Sequence, residues 1–313
     1  SFNNVMSINY LPAQPMLYDK YVTTRLYYKD TSNRFFLYKD TGTTLSQMRL
    51  DMSKIPDLYI SEHDKLESVM EMQSVLNKQM KEDINSGNIS TVKNTLVSLI
   101  TETLSEPRSG SLHGVSKTID ILIDGYSKQP NFFSTLATIS TKNYTTAIHS
   151  INVCAMTLGI CFKIGYNDNE IKEIGLAAML HDTGKIYVPN KILDAPRRLT
   201  SDEFKKIRQH TFQGYKILKK EGFDEETCQV AYQHHEKLNG TGYPKGLKSN
   251  NINKTSQLIG LIDFYEAITN HDRAYRRADI PIDAFGIIKL CVEKGELDEF
   301  FFETMVQYLF AST

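Results

Sequence analysis

Apolar and polar residues change their rhythm along this chain of 313 residues. Residues 21–28 and 34–39 are rich in β-branched and aromatic side chains, and Asp40-Thr41-Gly42 after them is a turn signal. Residues 55–60 read as a third strand and 45–52 as a short helix. From His63 the period becomes helical, with Leu66, Val69, Met70, Met72, Val75, Leu76 and Met80 forming one stripe. Gly87 breaks that stripe, Ser90 is the expected N-cap of a helix over 91–104, and Pro107, Gly110 and Gly114 mark a loop before a helix over 118–127. A long apolar helix follows over 141–163, then one over 171–181 opened by Asn167 and Glu170 as a capping box. Thr200 with Glu203 opens another, Asp224 the next, and Thr255 or Ser256 the helix over 257–270.

The expected fold is therefore α+β: a small N-terminal α/β module over 1–62, a helical connector over 63–140 and an all-helical domain over 141–313. The length suits two domains. With 36 basic against 37 acidic residues there is no charge excess to drive binding to a nucleic-acid polymer or a membrane surface. Apolar runs such as 258–262 fall short of a membrane span, and the first residues lack a signal-peptide pattern. Cys154, Cys161, Cys228 and Cys291 form no CxxC, which suggests reduced thiols and a cytoplasmic protein. The first 62 residues hold no cluster of chemistry-bearing side chains, so a regulatory or protein-partner role is expected there, and the methionine-bearing helices admit a homodimer seam.

The chemistry lies further on. Five of the eight histidines, His149, His181, His210, His234 and His235, fall on or at the ends of predicted helices. Asp182 follows His181 directly, and Asp263 sits amid Ile259, Leu261, Ile262 and Phe264. A carboxylate in such an apolar run is costly unless paired or metal-bound. Imidazoles and carboxylates converging from several helices are how helical transition-metal sites are built. Gly184 reads as a helix stop that leaves Lys185 free to turn toward whatever the metals hold.

The run His149, His181-Asp182-Thr183-Gly184-Lys185, His210, His234-His235-Glu236, Gly240-Thr241-Gly242-Tyr243-Pro244 and Asp263 resembles the HD-GYP subgroup of the HD-domain metallophosphohydrolases. The resemblance covers roughly residues 142–310. It implies an all-helical domain with two or three metals, usually iron or manganese, and hydrolysis of cyclic di-GMP to the linear dinucleotide or GMP. Carried onto this chain, one metal takes His149, His181, Asp182 and Asp263, and the other takes His210, His234 and His235 with Asp182 bridging. A metal-bridged hydroxide would attack the phosphodiester, and Lys185 would neutralise charge on the non-bridging oxygens. Arg273, Arg276 and Tyr243 are the further substrate-binding candidates, Tyr243 chiefly as the shaper of its loop.

Departures from the family pattern qualify this. Thr145 replaces a glutamate found in some relatives, which predicts two metals and not three. Glu266 stands where the family has Asp and is expected behind a ligand or as a spare one; Asn239 replaces an Asp, Arg197 a Gly and Ala274 a Pro, and Leu297-Asp298-Glu299 stands for Phe-Asp-Pro. Three functions follow: an active cyclic di-GMP phosphodiesterase; a degenerate member that binds metal, and cyclic di-GMP with it, to signal through partners; and a phosphohydrolase of another nucleotide.

Overall fold

The computed structural model describes residues 8–48, 50–141, 144–270 and 281–311. Its N-terminal part is a four-stranded antiparallel sheet of β1 (Tyr10–Pro12), β2 (Leu26–Lys29), β3 (Phe35–Lys39) and β4 (Leu58–Ser61), in the spatial order β1-β4-β2-β3. Tyr27 pairs with both Leu37 and Tyr59, which places β2 at the centre. The strand expected over 21–28 is shortened because Glu71 intervenes. Its carboxylate accepts from the amides of Val22 (2.6 Å), Thr23 (2.8 Å) and Thr24 (3.1 Å), donors that a ladder would otherwise use. In place of a helix over 45–52 there are two short 3-10 turns, Ser46–Met48 and Met52–Lys54.

Helix α1 (Lys65–Asn85) and α2 (Ile89–Ser105) back the sheet. Met72 and Leu76 of α1 and Leu99 of α2 join Leu17, Tyr21, Leu26, Leu58 and Ile60 in one apolar cluster. A fully buried ion pair, Lys65 Nζ to Glu102 at 2.8 Å, ties the two helices, and Gln14 Nε2 donates to the same carboxylate. Helix α2 begins earlier than expected because Asn88, not Ser90, accepts from Thr91 N.

The opposite face of α2 enters the main core with α3 (Val115–Lys128), α4 (Phe132–Thr138), α5 (Thr146–Ile164), α6 (Asp168–Leu180), α7 (Asn190–Leu193), α8 (Ser201–Lys220), α9 (Glu225–Gln233), α10 (Lys254–Thr269), α11 (Pro281–Glu293) and α12 (Glu299–Ala311). Helix α5 has 19 residues and is long and apolar enough to cross a membrane. Most of it is buried among α2, α4, α6 and α10. It is the central helix of the core.

Three predicted caps stand as read: Asn167–Glu170 and Thr200–Glu203 form reciprocal capping boxes, and Asp224 accepts from Thr227 N. Helix α10 is capped by Asn253, two residues before the expected start. Thr200→Ala should cost about 1 kcal/mol by freeing the first-turn amides of α8. A shift of the urea midpoint measures it, and an unchanged midpoint would mean the box contributes nothing.

Candidate metal centre

Five helices deliver the predicted residues to one buried place. His149 comes from the first turn of α5, His181 and Asp182 from just past α6, His210 from the middle of α8, His234 and His235 from just past α9, and Asp263 from α10. They sort into two neighbouring groups. In one, ligating atoms of His149, His181 and Asp182 lie within 4.8 Å of one another; in the other, those of His210, His234 and His235 do.

Asp182 faces both groups. Its Oδ2 is 3.3 Å from His149 Nε2 and 3.4 Å from His181 Nε2, while Oδ1 is 3.3 Å from His210 Nε2 and 3.8 Å from His234 Nε2. Asp263 joins the groups at the other side, with Oδ1 2.9 Å from His149 Nε2 and Oδ2 3.5 Å from His235 Nδ1.

The hydrogen bonds behind the rings fix what these nitrogens present. His181 Nδ1 faces Ala178 O at 2.7 Å, His210 Nδ1 faces Ile207 O at 2.6 Å and His234 Nδ1 faces Val230 O at 3.0 Å. A carbonyl oxygen only accepts, so each Nδ1 carries the proton and each Nε2 of a neutral ring offers a lone pair. Burial lowers the basicity of all three imidazoles, His210 and His234 to about 4, which keeps them neutral at pH 7. Lone pairs of His210 Nε2 and His234 Nε2 then face one another at 3.3 Å, and the lone pair of His181 Nε2 lies 3.3 Å from His149 Nε2. Asp182 Oδ1, fully buried, has no hydrogen-bond partner although two imidazole nitrogens are close, because those nitrogens bring no proton to it. Such a convergence is unfavourable by itself and fits a cation between the donors.

His149 differs. Its Nδ1 meets Glu266 Oε2 at 2.6 Å. Burial would depress its pKa, but the Glu266 and Asp263 carboxylates outweigh that and raise it to about 9 in the metal-free protein. Burial would raise Asp182; Lys185 and the surrounding imidazoles overcome it and hold the carboxyl well below its usual range. Lys185 Nζ, part-buried, donates to Asp182 Oδ2.

Gly184 is not a helix stop. Helix α6 already ends at Leu180, and Gly184 lies in a 3-10 turn, Thr183–Tyr187, pressed against α8. A Cβ there would sit 1.9 Å from His210 O and 2.4 Å from Gly214 N. That contact brings His210 up to Asp182.

The loop after His235 is tied down by Glu236, whose role the sequence reading left open. Its carboxylate accepts from Lys245 N (2.7 Å) and Leu247 N (2.9 Å), and Gly242 allows the loop to lie against the backbone of Glu236 and Lys237. This stacks Tyr243 on His235, ring centroids 4.8 Å apart, at the rim. The exposed Arg208, which sequence reasoning passed over, lays its guanidinium over Tyr243 (4.5 Å) and Phe204 (4.9 Å). Arg273 and Arg276 lie outside the described residues. Thr145 spends its hydroxyl as the N-cap of α5, accepting from Ile148 N.

Residues 126–299, more than half the chain, match the family described as HD domain. The chain belongs to the HD domain family. The chain is 34% identical over 163 residues to the cyclic di-GMP phosphodiesterase PA4108 of Pseudomonas aeruginosa, covering 52% of this chain and 39% of that protein. It is 35% identical over 131 residues to the cyclic di-GMP phosphodiesterase PdeB of Borreliella burgdorferi, 42% of this chain and 34% of the relative. It is 30% identical over 169 residues to the 3'3'-cGAMP-specific phosphodiesterase 1 of Vibrio cholerae, 54% of this chain and 39% of the relative. The matches thus span less than half of each relative's length. These names agree with the HD-GYP resemblance of the motifs. Among solved structures, the HDG"Y"P protein Bd1817 of Bdellovibrio bacteriovorus aligns over 96% of this chain and 99% of its own, with a TM-score of 0.64. At 19% identity that likeness is one of fold, and it takes in the N-terminal sheet as well as the HD domain.

Proposed function

We propose that the protein is a metal-dependent phosphodiesterase of cyclic dinucleotides, with cyclic di-GMP as the preferred substrate. The observation that carries this reading is the carboxylate of Asp182 set between two histidine groups whose Nε2 atoms converge on it. His149, His181, Asp182 and Asp263 would hold one divalent transition metal, iron or manganese, and Asp182, His210, His234 and His235 a second. Such a pair, when bound, supplies Lewis acidity to the phosphate and makes a water acidic enough to attack it.

The chain's own groups do the rest. Asp182 and Asp263 together bring two negative charges into a pocket of imidazoles, offsetting the dications. Lys185 is placed beside Asp182 with one face part-exposed, where its ammonium stabilises the negative charge that grows on a phosphate oxygen. Arg208, held over Tyr243, forms a cationic rim suited to a phosphate. Thr145, engaged as a cap, supports a pair of metals and not a trio.

Lys185→Ala should keep both metals and lower kcat by about 10²-fold, the scale of one electrostatic donor. Loss of metal in that variant would make Lys185 a structural counter-charge instead. Substrate class is tested on iron- or manganese-loaded protein given cyclic di-GMP, 3'3'-cGAMP and mononucleotides in parallel. Turnover of mononucleotides alone would refute the dinucleotide assignment. Binding of a cyclic dinucleotide without turnover would support the signalling role that Thr145 and Asn239 suggest.

A further inference from the structure

Behind His149 a chain of buried polar groups leads out of the HD domain. Glu266, 3% exposed on α10, accepts from His149 Nδ1 and Tyr144 Oη (2.9 Å) through Oε2, and from Asn152 Nδ2 (3.0 Å) and Asn270 Nδ2 (2.7 Å) through Oε1. Asn152 lies one turn beyond His149 on the same face of α5. Its Oδ1 accepts from Lys93 Nζ, and Lys93 also donates to Leu136 O at 2.6 Å. Lys93 is 0% exposed, belongs to α2 and stands outside residues 126–299.

We propose that Lys93 is a positioning residue for the metal centre, acting through Asn152 and Glu266 on His149; this rests on the two-metal reading above. An ammonium can only donate, so it holds Asn152 with its oxygen toward α2 and its NH2 toward Glu266. That orientation presents a donor to the carboxylate, and a flipped amide would present a lone pair. Glu266, steadied in this way, aims its other oxygen at His149 Nδ1, which turns His149 Nε2 to Asp182 and Asp263. A lysine buried in an apolar core costs several kcal/mol unless its hydrogen bonds are met. Here the carbonyl of Leu136 meets one of them and Asn152, which leads to one metal ligand, another. Helix α2 carries Ser98, Leu99 and Glu102 into the N-terminal sheet's side of the fold, so a single helix joins that module to His149.

The effect is selective, because the chain ends on one of the two histidine groups. Metal-free protein titrated calorimetrically with Mn2+ alone should show two sites. Lys93→Met, of similar length and without charge, should weaken one site about tenfold or more, as loss of an outer partner does, and leave the other unchanged. Asn152→Asp, which keeps a partner for Lys93 but sets a carboxylate against Glu266, should do the same and decides the matter if Lys93→Met does not fold. Wild-type affinities in a folded variant, or equal weakening at both sites together with a lower melting temperature of the metal-free protein, would overturn the proposal. Fewer than two Mn2+ sites in the wild-type protein would instead refute the two-metal reading, and this inference with it.

Discussion

Asp182→Ala is expected to abolish metal retention and hydrolysis together. Each oxygen of this carboxylate faces a different histidine group, at 3.3–3.4 Å on one side and 3.3–3.8 Å on the other. Removing it takes a negative charge from both groups at once, and three neutral imidazoles do not replace it. Loss of any single histidine of the set leaves one group whole. Turnover should fall by more than roughly 10³-fold, beyond what removal of one electrostatic donor costs. Elemental analysis after gel filtration checks the metal, and a nucleotide assay the rate. Unchanged metal content would show that Asp182 is not shared.

Gly184→Ala should damage stability and site geometry together. The new methyl group would meet backbone atoms of α8, His210 O and Gly214 N, not the tip of a flexible side chain. The turn Thr183–Tyr187 and α8 must separate, and overpacking of this kind costs on the order of 1–3 kcal/mol or more. The displaced helix carries His210 away from Asp182, so affinity for the second metal should fall while the group containing His181 is less affected. A lowered urea midpoint together with loss of one metal is the expected pair of results. A wild-type midpoint would mean that α8 does not lie against this turn.

Much of the candidate site was legible in the sequence because residues of metal-ligating type break the apolar pattern. Asp263 stands out in a run of isoleucines and leucines, and adjacent His-Asp and His-His pairs seldom arise from packing needs. The same signal was present at Asn152, a polar residue on the buried face of α5, and went unread because an amide bears no charge. Lys93 was less legible still. A lysine in an exposed-looking helix is ordinarily a solvated residue, and only tertiary packing against Leu136 and Asn152 buries it. Capping boxes were read correctly because their bonds are local. The strand over 21–28 was misread because Glu71, about fifty residues away, takes its amides. Gly184 was assigned the commonest local use of glycine, a helix end, when its actual use is an approach between two segments distant in sequence.

The most direct test of the account is metal content per chain in anaerobically purified protein, followed on the same sample by turnover of cyclic di-GMP. Two irons or two manganeses per chain, with turnover, are the predicted result. One metal or none, after reconstitution as well, would contradict the shared role of Asp182 and the two histidine groups built around it.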